Sequence, residues 1–519
     1  MAENKEAEDT VYITGYKLFL VMTGLTVVML LAMLDMSIIS TAIPQITSDF
    51  HRLEDVGWYT GAYQLASATV QPLTGKLYTY FSTKWTYLCF FLIFEAGSVI
   101  CGAATSSIML IIGRSVAGLG CSGLSNGTMT VLVGSFPSEK RPLSQIGIVM
   151  GPLLGGAFTE KASWRWCFYI NLPLGGLAAL FLVFIHIPDQ TPKSPISLSF
   201  LRQLLPLFDL TGFALFAPAV IMFLLGLQFG SESYGWGSSE VIGLFCGAAT
   251  TLALFLFWEH GMGDQAMIPL ELVRQRVMWT SCLNMGFLMT VVVGGSSFMP
   301  IYFQSVKGLS PVMSGVHMLG SILSQVFFIL LSGALVTKLG YYTPWAMIAG
   351  AGTAIGCGLM STWTPSSGLG KIIGYQIVFG IRGSGIQMGI IAVQHYLPPS
   401  QAAVGISIPV FVQNLFGAVF ITVANTIFQS TLRSEITAHV PSVNPEAAIA
   451  AGGSADAVRA LAPPASPELE AILEAYSTSF GHVFYLLAAC CVAAFLSAFG
   501  MGWVDMRKKA KSESGRLED

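Results

Sequence analysis

The sequence predicts an all-α protein that crosses a membrane fourteen times, with both termini in the cytosol. Three observations predict it. Of the 519 residues, 53% are hydrophobic and 10% are charged, against roughly 25% charged in a soluble protein; mean hydropathy is +0.67. So few charges cannot solvate the outside of so apolar a chain. The apolar residues also form long continuous runs, each near the ~20 that a helix needs to cross about 30 Å of hydrocarbon; an outer-membrane barrel would need short alternating segments. Finally, sixteen of the 25 Lys and Arg fall in segments on the same side as the termini and seven on the other, which marks the termini's side as cytosolic.

In chain order, spans 1 to 6 are expected at 17–42, 56–78, 85–104, 108–133, 143–159 and 167–187. Spans 7 and 8 follow at 210–229 and 241–258, and spans 9 to 14 at 280–303, 313–336, 345–361, 372–396, 405–428 and 481–503. All ten tryptophans lie near predicted ends, as an interfacial aromatic belt requires. An internal repeat shows at an offset of 258: Gly57, Leu65, Gly75, Leu77 and Thr79 meet Gly315, Leu323, Gly333, Leu335 and Thr337. The repeat divides the chain into a cytosolic tail (1–16), a six-helix bundle (17–187), an inserted pair with its flanking loops (188–279), a second six-helix bundle (280–503) and a second cytosolic tail (504–519). The 429–480 segment, rich in Ala, Ser and Pro and net acidic, is expected to be a long extracellular loop, mostly exposed and partly disordered.

Several function classes drop out. A net charge of -3 offers no basic surface for nucleic acid. The nine cysteines form no CxxC pair, and the seven histidines are scattered without metal spacing; no metal and no cofactor is expected. The acidic, polar N-terminus does not suit a cleaved signal peptide. The Gly-Lys pairs at 75–76 and 370–371 lack the upstream glycine of a phosphate-binding loop, which argues against direct use of ATP. No nucleophile–base pair points to an enzyme.

A charge within a span costs about 2.5–3.5 kcal/mol, so each such residue is a functional candidate. Asp35 in span 1 is the first. Burial favours the neutral form of a carboxylic acid and a neighbouring arginine favours the ionised form, so a group held between these effects can take up and release a proton. A static ion pair is the other reading. Arg114 in span 4 stays charged; either it sets the proton affinity of a carboxylate or it bonds to backbone. Glu95 in span 3 is a second proton carrier, a site for cations, or a bond to a neighbouring helix. Arg382 in span 12 is either a counter-charge for anionic cargo or a residue snorkelling at the extracellular end.

Polar and small residues add a second group. Gln387 in span 12 and Gln413 and Asn414 in span 13 can bond to a substrate or to each other. In span 5, Gly147, Gly151, Pro152, Gly155 and Gly156 flatten one face and remove a backbone hydrogen bond, giving a pliable contact between two moving halves or ordinary small-residue packing.

With these motifs in place, the chain resembles the major facilitator superfamily, and within it the fourteen-span drug:proton antiporters, especially fungal toxin and multidrug efflux carriers. The resemblance runs from span 1 to span 14. It is carried by LDMSIISTAIP at 34–44, GRSVAGLG at 113–120, GIVMGPLLGG at 147–156 and WRWCFYINLPLGG at 164–176. It implies two six-helix bundles with spans 7 and 8 as an extra central pair, the 147–156 segment as the antiporter motif, and Asp35 near Arg114 in a proton-linked site. Two departures stand out. The loop between spans 2 and 3 normally reads G-x-L-a-D-r-x-G-r-k, but Thr79 replaces its aspartate and Ser82 its glycine. Span 5 is short as well: at 1.5 Å per residue it reaches about 25 Å, which suggests a local deletion ahead of Gly147.

The expected function is therefore proton-coupled efflux of a small hydrophobic compound, such as a fungal secondary metabolite, toxin or drug, by alternating access. The expected partners are that substrate, protons and the lipid bilayer; the carrier is expected to be a monomer in the plasma membrane, with a vacuolar or vesicle membrane as the alternative. Rival readings are a siderophore or basic amino-acid carrier of the same fold, or a transport-dead sensor.

Overall fold

The computed structural model describes residues 20–21, 23–32, 35, 46, 49–50, 56–135, 163–185, 189, 208–232, 235–263, 266–397, 401–452, 455–464 and 466–506. Among them there is no strand, and ten helices are long and apolar enough to cross a membrane. Spans 2 (Val56–Tyr80) and 11 (Thr343–Met360) are also helical, and Thr23–Ala32 is a shorter apolar helix within span 1. Span 5, with Gly147, Gly151, Pro152, Gly155 and Gly156, lies outside the described residues.

Local signals start and stop these helices. Span 8 begins where the Ser238 hydroxyl accepts from the Val241 N–H, and span 10 where Ser310 does the same for Met313 ahead of Pro311 at the first turn. Span 10 ends at Gly340, whose φ of 83° needs a residue without Cβ.

Glycine sets how closely the helices approach, and it does so twice. In the N-terminal half, a Cβ on Gly118 of span 4 would overlap the Tyr63 carbonyl of span 2, and one on Gly97 of span 3 would sit 2.6 Å from the Ala117 Cα. In the C-terminal half, a Cβ on Gly383 of span 12 would overlap the Gln325 carbonyl of span 10, and one on Gly356 of span 11 would sit 2.7 Å from the Phe379 Cα. Each half thus brings its fourth helix against the backbone of its second and third.

Span 12 is broken. Helix Leu369–Phe379 gives way to a 3-10 segment, Gly380–Ser384, before helix Met388–Tyr396. Gly380 and Gly383 have no room for a Cβ against Ser324 and Gln325, so the tight approach to span 10 coincides with the break.

The 429–480 segment is not an exposed, disordered loop. Span 13 continues as Ala402–His439, short helices Pro445–Ala451 and Ala455–Arg459 follow, and span 14 begins at Pro467. Ile436, Val440, Ala448, Val458 and Ile472 are buried against Val306 and Trp363. Arg459 donates to the carbonyls of Ser305 (3.1 Å) and Val306 (3.3 Å), and Tyr476 to that of Ala448. The segment is a folded cap on the C-terminal half. Its Ala, Pro and Ser are helix formers and helix starters: Asn444-Pro445-Glu446 and Ser466-Pro467-Glu468 are both capped N-termini.

Spans 7 and 8 are tied together at Asp209, the residue before Leu210–Glu232. Its carboxylate accepts from Trp258 Nε1 (2.7 Å), the Gly212 N–H (2.9 Å) and the Met267 N–H (3.1 Å). Burial raises its proton affinity, and the hydrogen bonds from Trp258 Nε1 and from the Gly212 and Met267 N–H groups act the other way; the carboxyl stays below its usual range. Phe216, Val220 and Leu224 of span 7 then pack with Ala68 of span 2 and Phe411 of span 13, so the pair lies against both halves.

Candidate functional site

The site is built where spans 1, 2 and 4 face spans 9, 10, 12 and 13. A cavity of about 150 Å³ lies between them. Its N-terminal wall holds Met29, Tyr63, Gln64, Ser67, Cys121 and Ser125. Its C-terminal wall includes Met285, Met289, Gln325, Gln387, Gln413 and Asn414.

At one end the halves touch and close the cavity. Asn414 Nδ2 donates to Gln71 Oε1 at 3.4 Å. One turn further along span 2, a Cβ on Gly75 would lie 2.6 Å from Ser407 Oγ and 3.1 Å from the Val404 Cα. From the charge distribution along the sequence, this end is the one expected to face the cytosol. Thr79, where the family pattern has aspartate, donates its hydroxyl to the Gly75 carbonyl within its own helix at 2.9 Å. The loop that follows is held instead by Asp189, which accepts from the Thr83 N–H at 2.7 Å.

Behind the N-terminal wall is a buried ion pair. Arg114 Nη1 lies 2.5 Å from Asp35 Oδ2, and the two side chains are 1% and 0% exposed. Arg114 also donates to the carbonyls of Tyr59 (2.9 Å) and Asp35 (3.3 Å). Among the described residues Asp35 Oδ1 has no hydrogen-bond partner. Tyr63 joins the pair to the cavity: the guanidinium sits 4.3 Å over its ring, and the same side chain lines the void. A pair of this kind is held by mutual attraction against a large desolvation cost, so removing one member costs about 3–5 kcal/mol.

The other candidates separate. Gln387, Gln413 and Asn414 line the cavity together. Glu95 does not: its carboxylate is pressed against Gly175 of span 6, where a Cβ would overlap it, and neither oxygen has a hydrogen-bond partner among the described residues. Arg382 does not line the cavity either, and it does not snorkel. It is 5% exposed, its guanidinium 4.0 Å over the Phe379 ring and Nη1 donating to the Phe379 carbonyl at 3.0 Å. The 3-10 segment turns residue 382 into the C-terminal core while leaving 387 on the cavity.

The sequence reading passed over Tyr63, Gln64, Ser67, Gln71 and Gln325. A signal was there: Gln64, Ser67 and Gln71 recur at helical spacing through a span, so their polar groups share one face.

Comparison with known proteins agrees with this architecture. The family model described as Major Facilitator Superfamily matches residues 25–422. The MFS-type transporter calB of Penicillium decumbens is 52% identical over 97% of this chain and 91% of that protein. The MFS-type transporter pigP of Monascus ruber is 50% identical over 96% and 88%, and the efflux pump mlcE of Penicillium citrinum 48% identical over 95% and 91%. Among solved structures, an inward-facing bacterial homolog of the human lysosomal transporter Spinster superposes with a TM-score of 0.56 at 17% identity, covering 94% of this chain and 98% of that one. The nucleoside transporter NupG superposes with a TM-score of 0.52 at 14% identity, covering 94% and 100%.

Proposed function

Since the chain belongs to the major facilitator superfamily it is a multi-pass membrane transporter, and we propose that it exports a small hydrophobic organic compound in exchange for protons. The observation that carries the exchange is the Asp35–Arg114 pair stacked on a ring that lines the cavity. The relatives named as efflux pumps support the outward direction.

The geometry supports the following steps. With Asp35 ionised, Arg114 is drawn to it and the Tyr63 ring is clamped beneath the guanidinium. When Asp35 takes a proton the attraction is lost, while Arg114 keeps its charge and its carbonyl acceptor at Tyr59. The guanidinium is then free to shift on the ring, and the cavity wall shifts with it. One proton bound at Asp35 on the outer side and released inside completes the cycle as the cargo moves the other way. Alternating access needs the Gly75–Ser407 seal to open in the inward-facing state. The plasma membrane is the setting in which this exchange clears the cell.

The test is dye uptake by proteoliposomes under an imposed pH gradient, acidic inside. The intact chain is expected to accumulate dye only with the gradient; Asp35→Asn and Arg114→Ala are expected to lose that dependence. Uptake that ignores the gradient in the intact chain would overturn the exchange.

A further inference from the structure

We infer that the cargo is uncharged: an apolar body carrying hydroxyl, carbonyl or ether oxygens, held by carboxamides that both halves contribute. This rests on the efflux reading above and narrows it. Five carboxamides line the cavity: Gln64 from span 2, Gln325 from span 10, Gln387 from span 12, and Gln413 and Asn414 from span 13. Each offers a donor and an acceptor without net charge. Between them lie Met29, Met285 and Met289, whose flexible thioethers fit apolar surface of varied shape.

Among the described residues, the charged side chains of the spans lie off the cavity; Lys76 of span 2 and Glu259 at the end of span 8, both buried, do not line it. Asp35 and Arg114 neutralise each other behind the wall. Glu95 faces Gly175 in the contact between spans 3 and 6, and Arg382 faces Phe379 in the C-terminal core. None of the four lines the cavity. Of the residues of spans 1, 5 and 6 outside the described set (17–19, 22, 33–34, 36–42, 143–159 and 186–187), only Lys17 and His186, at the very ends of spans 1 and 6, can carry a charge. A cation or an anion would therefore give up its water shell and meet no counter-charge, a loss that hydrogen bonds to amides do not make good. A neutral molecule loses little on entry, and its oxygens find both donors and acceptors. The same accounting disfavours basic amino acids and anionic chelators as cargo.

The test is equilibrium binding to the full chain in nanodiscs, with empty nanodiscs subtracted and no gradient applied. The probes are Nile red (neutral), rhodamine 6G (cationic) and anilinonaphthalene sulfonate (anionic). Nile red is expected to bind at least about tenfold more tightly than either charged probe. Gln387→Glu and Gln413→Glu each place a carboxylate on the wall and are expected to raise rhodamine 6G affinity about tenfold while weakening the sulfonate. Equal or tighter binding of a charged probe by the intact chain overturns the inference, as does a failure of both Glu variants to gain affinity for the cation. Because binding is read without a gradient, a neutral preference that survives while flux fails would sink the efflux reading alone. Gradient-driven flux with no neutral preference would sink only this one.

Discussion

Among the described residues two arginines are buried in the membrane-spanning core, and their surroundings differ. Arg114, on the fourth helix of the N-terminal half, has a carboxylate at 2.5 Å and a cavity-lining ring beneath it. Arg382, on the fourth helix of the C-terminal half, has no ion pair among the described residues; it rests on an aromatic face and a carbonyl of its own span. The first arrangement can change its charge with one proton, because one of its members titrates. The second cannot, because neither an arginine nor a carbonyl does. The two halves share glycine-mediated packing, and under the proposed exchange they would divide the work: the N-terminal pair would be the charge switch, while the C-terminal half, which carries the folded cap of the 429–480 segment, would stay fixed.

The largest expected effect would break this comparison if it failed. Asp35→Asn removes the titrating group and the charge attraction of the buried pair, the loss of one member of which costs about 3–5 kcal/mol. Gradient-driven uptake should fall about a hundredfold, while binding of a neutral dye persists. Arg382→Gln should do the reverse, sparing the dependence on the pH gradient and lowering the melting temperature of the purified carrier. If Arg382→Gln instead abolished the gradient dependence with its fold intact, the two arginines would not differ in kind.

Next comes the packing that the halves share. Gly118→Val and Gly383→Val each force a side chain onto the backbone of a neighbouring helix, and overpacking costs about 1–3 kcal/mol. Similar drops in melting temperature for the two variants, measured by scanning fluorimetry, would sharpen the claim that the halves are built alike; a drop at one alone would confine it to that half.

The helices were legible in the sequence because burial in lipid leaves a direct record: about twenty apolar residues, repeated. Asp35 and Arg114 were legible for the complementary reason, as the charges that cost most. The cavity wall was only half legible. Gln387, Gln413 and Asn414 stand out next to glycines and prolines, but Tyr63 does not, since an aromatic residue in a span is ordinary and its role comes only from lying between the guanidinium and the void. The break in span 12 was hidden because Gly380 and Gly383 also suit an unbroken, closely packed helix. The cap was misread because composition was weighed over spacing; Ile436, Val440 and the two capped N-termini carried the helical signal through a segment whose Ala, Ser and Pro content suggested disorder.

A smaller effect tests the cap. Arg459 donates to two carbonyls at the end of span 9, so Arg459→Ala should cost about 1–3 kcal/mol as hydrogen bonds from a charged group are lost. The drop should appear in melting temperature and leave the gradient dependence of uptake unchanged, as the division between a fixed and a switching half requires.

The finest distinction concerns Tyr63. If its ring transmits the state of the ion pair to the cavity, Tyr63→Phe keeps the face beneath Arg114 and should retain transport within about twofold, whereas Tyr63→Leu removes that face and its attraction for the cation, worth about 2 kcal/mol when desolvated. The leucine variant should still bind a neutral dye, since a comparable apolar surface remains at the wall, but its uptake should depend several-fold less steeply on the pH gradient. Measuring uptake against gradient size for both variants separates transmission from simple packing. If leucine and phenylalanine behaved alike, the ring would be only part of the wall, and the charge switch would have to reach the cavity through the backbone of span 2 at the Tyr59 carbonyl.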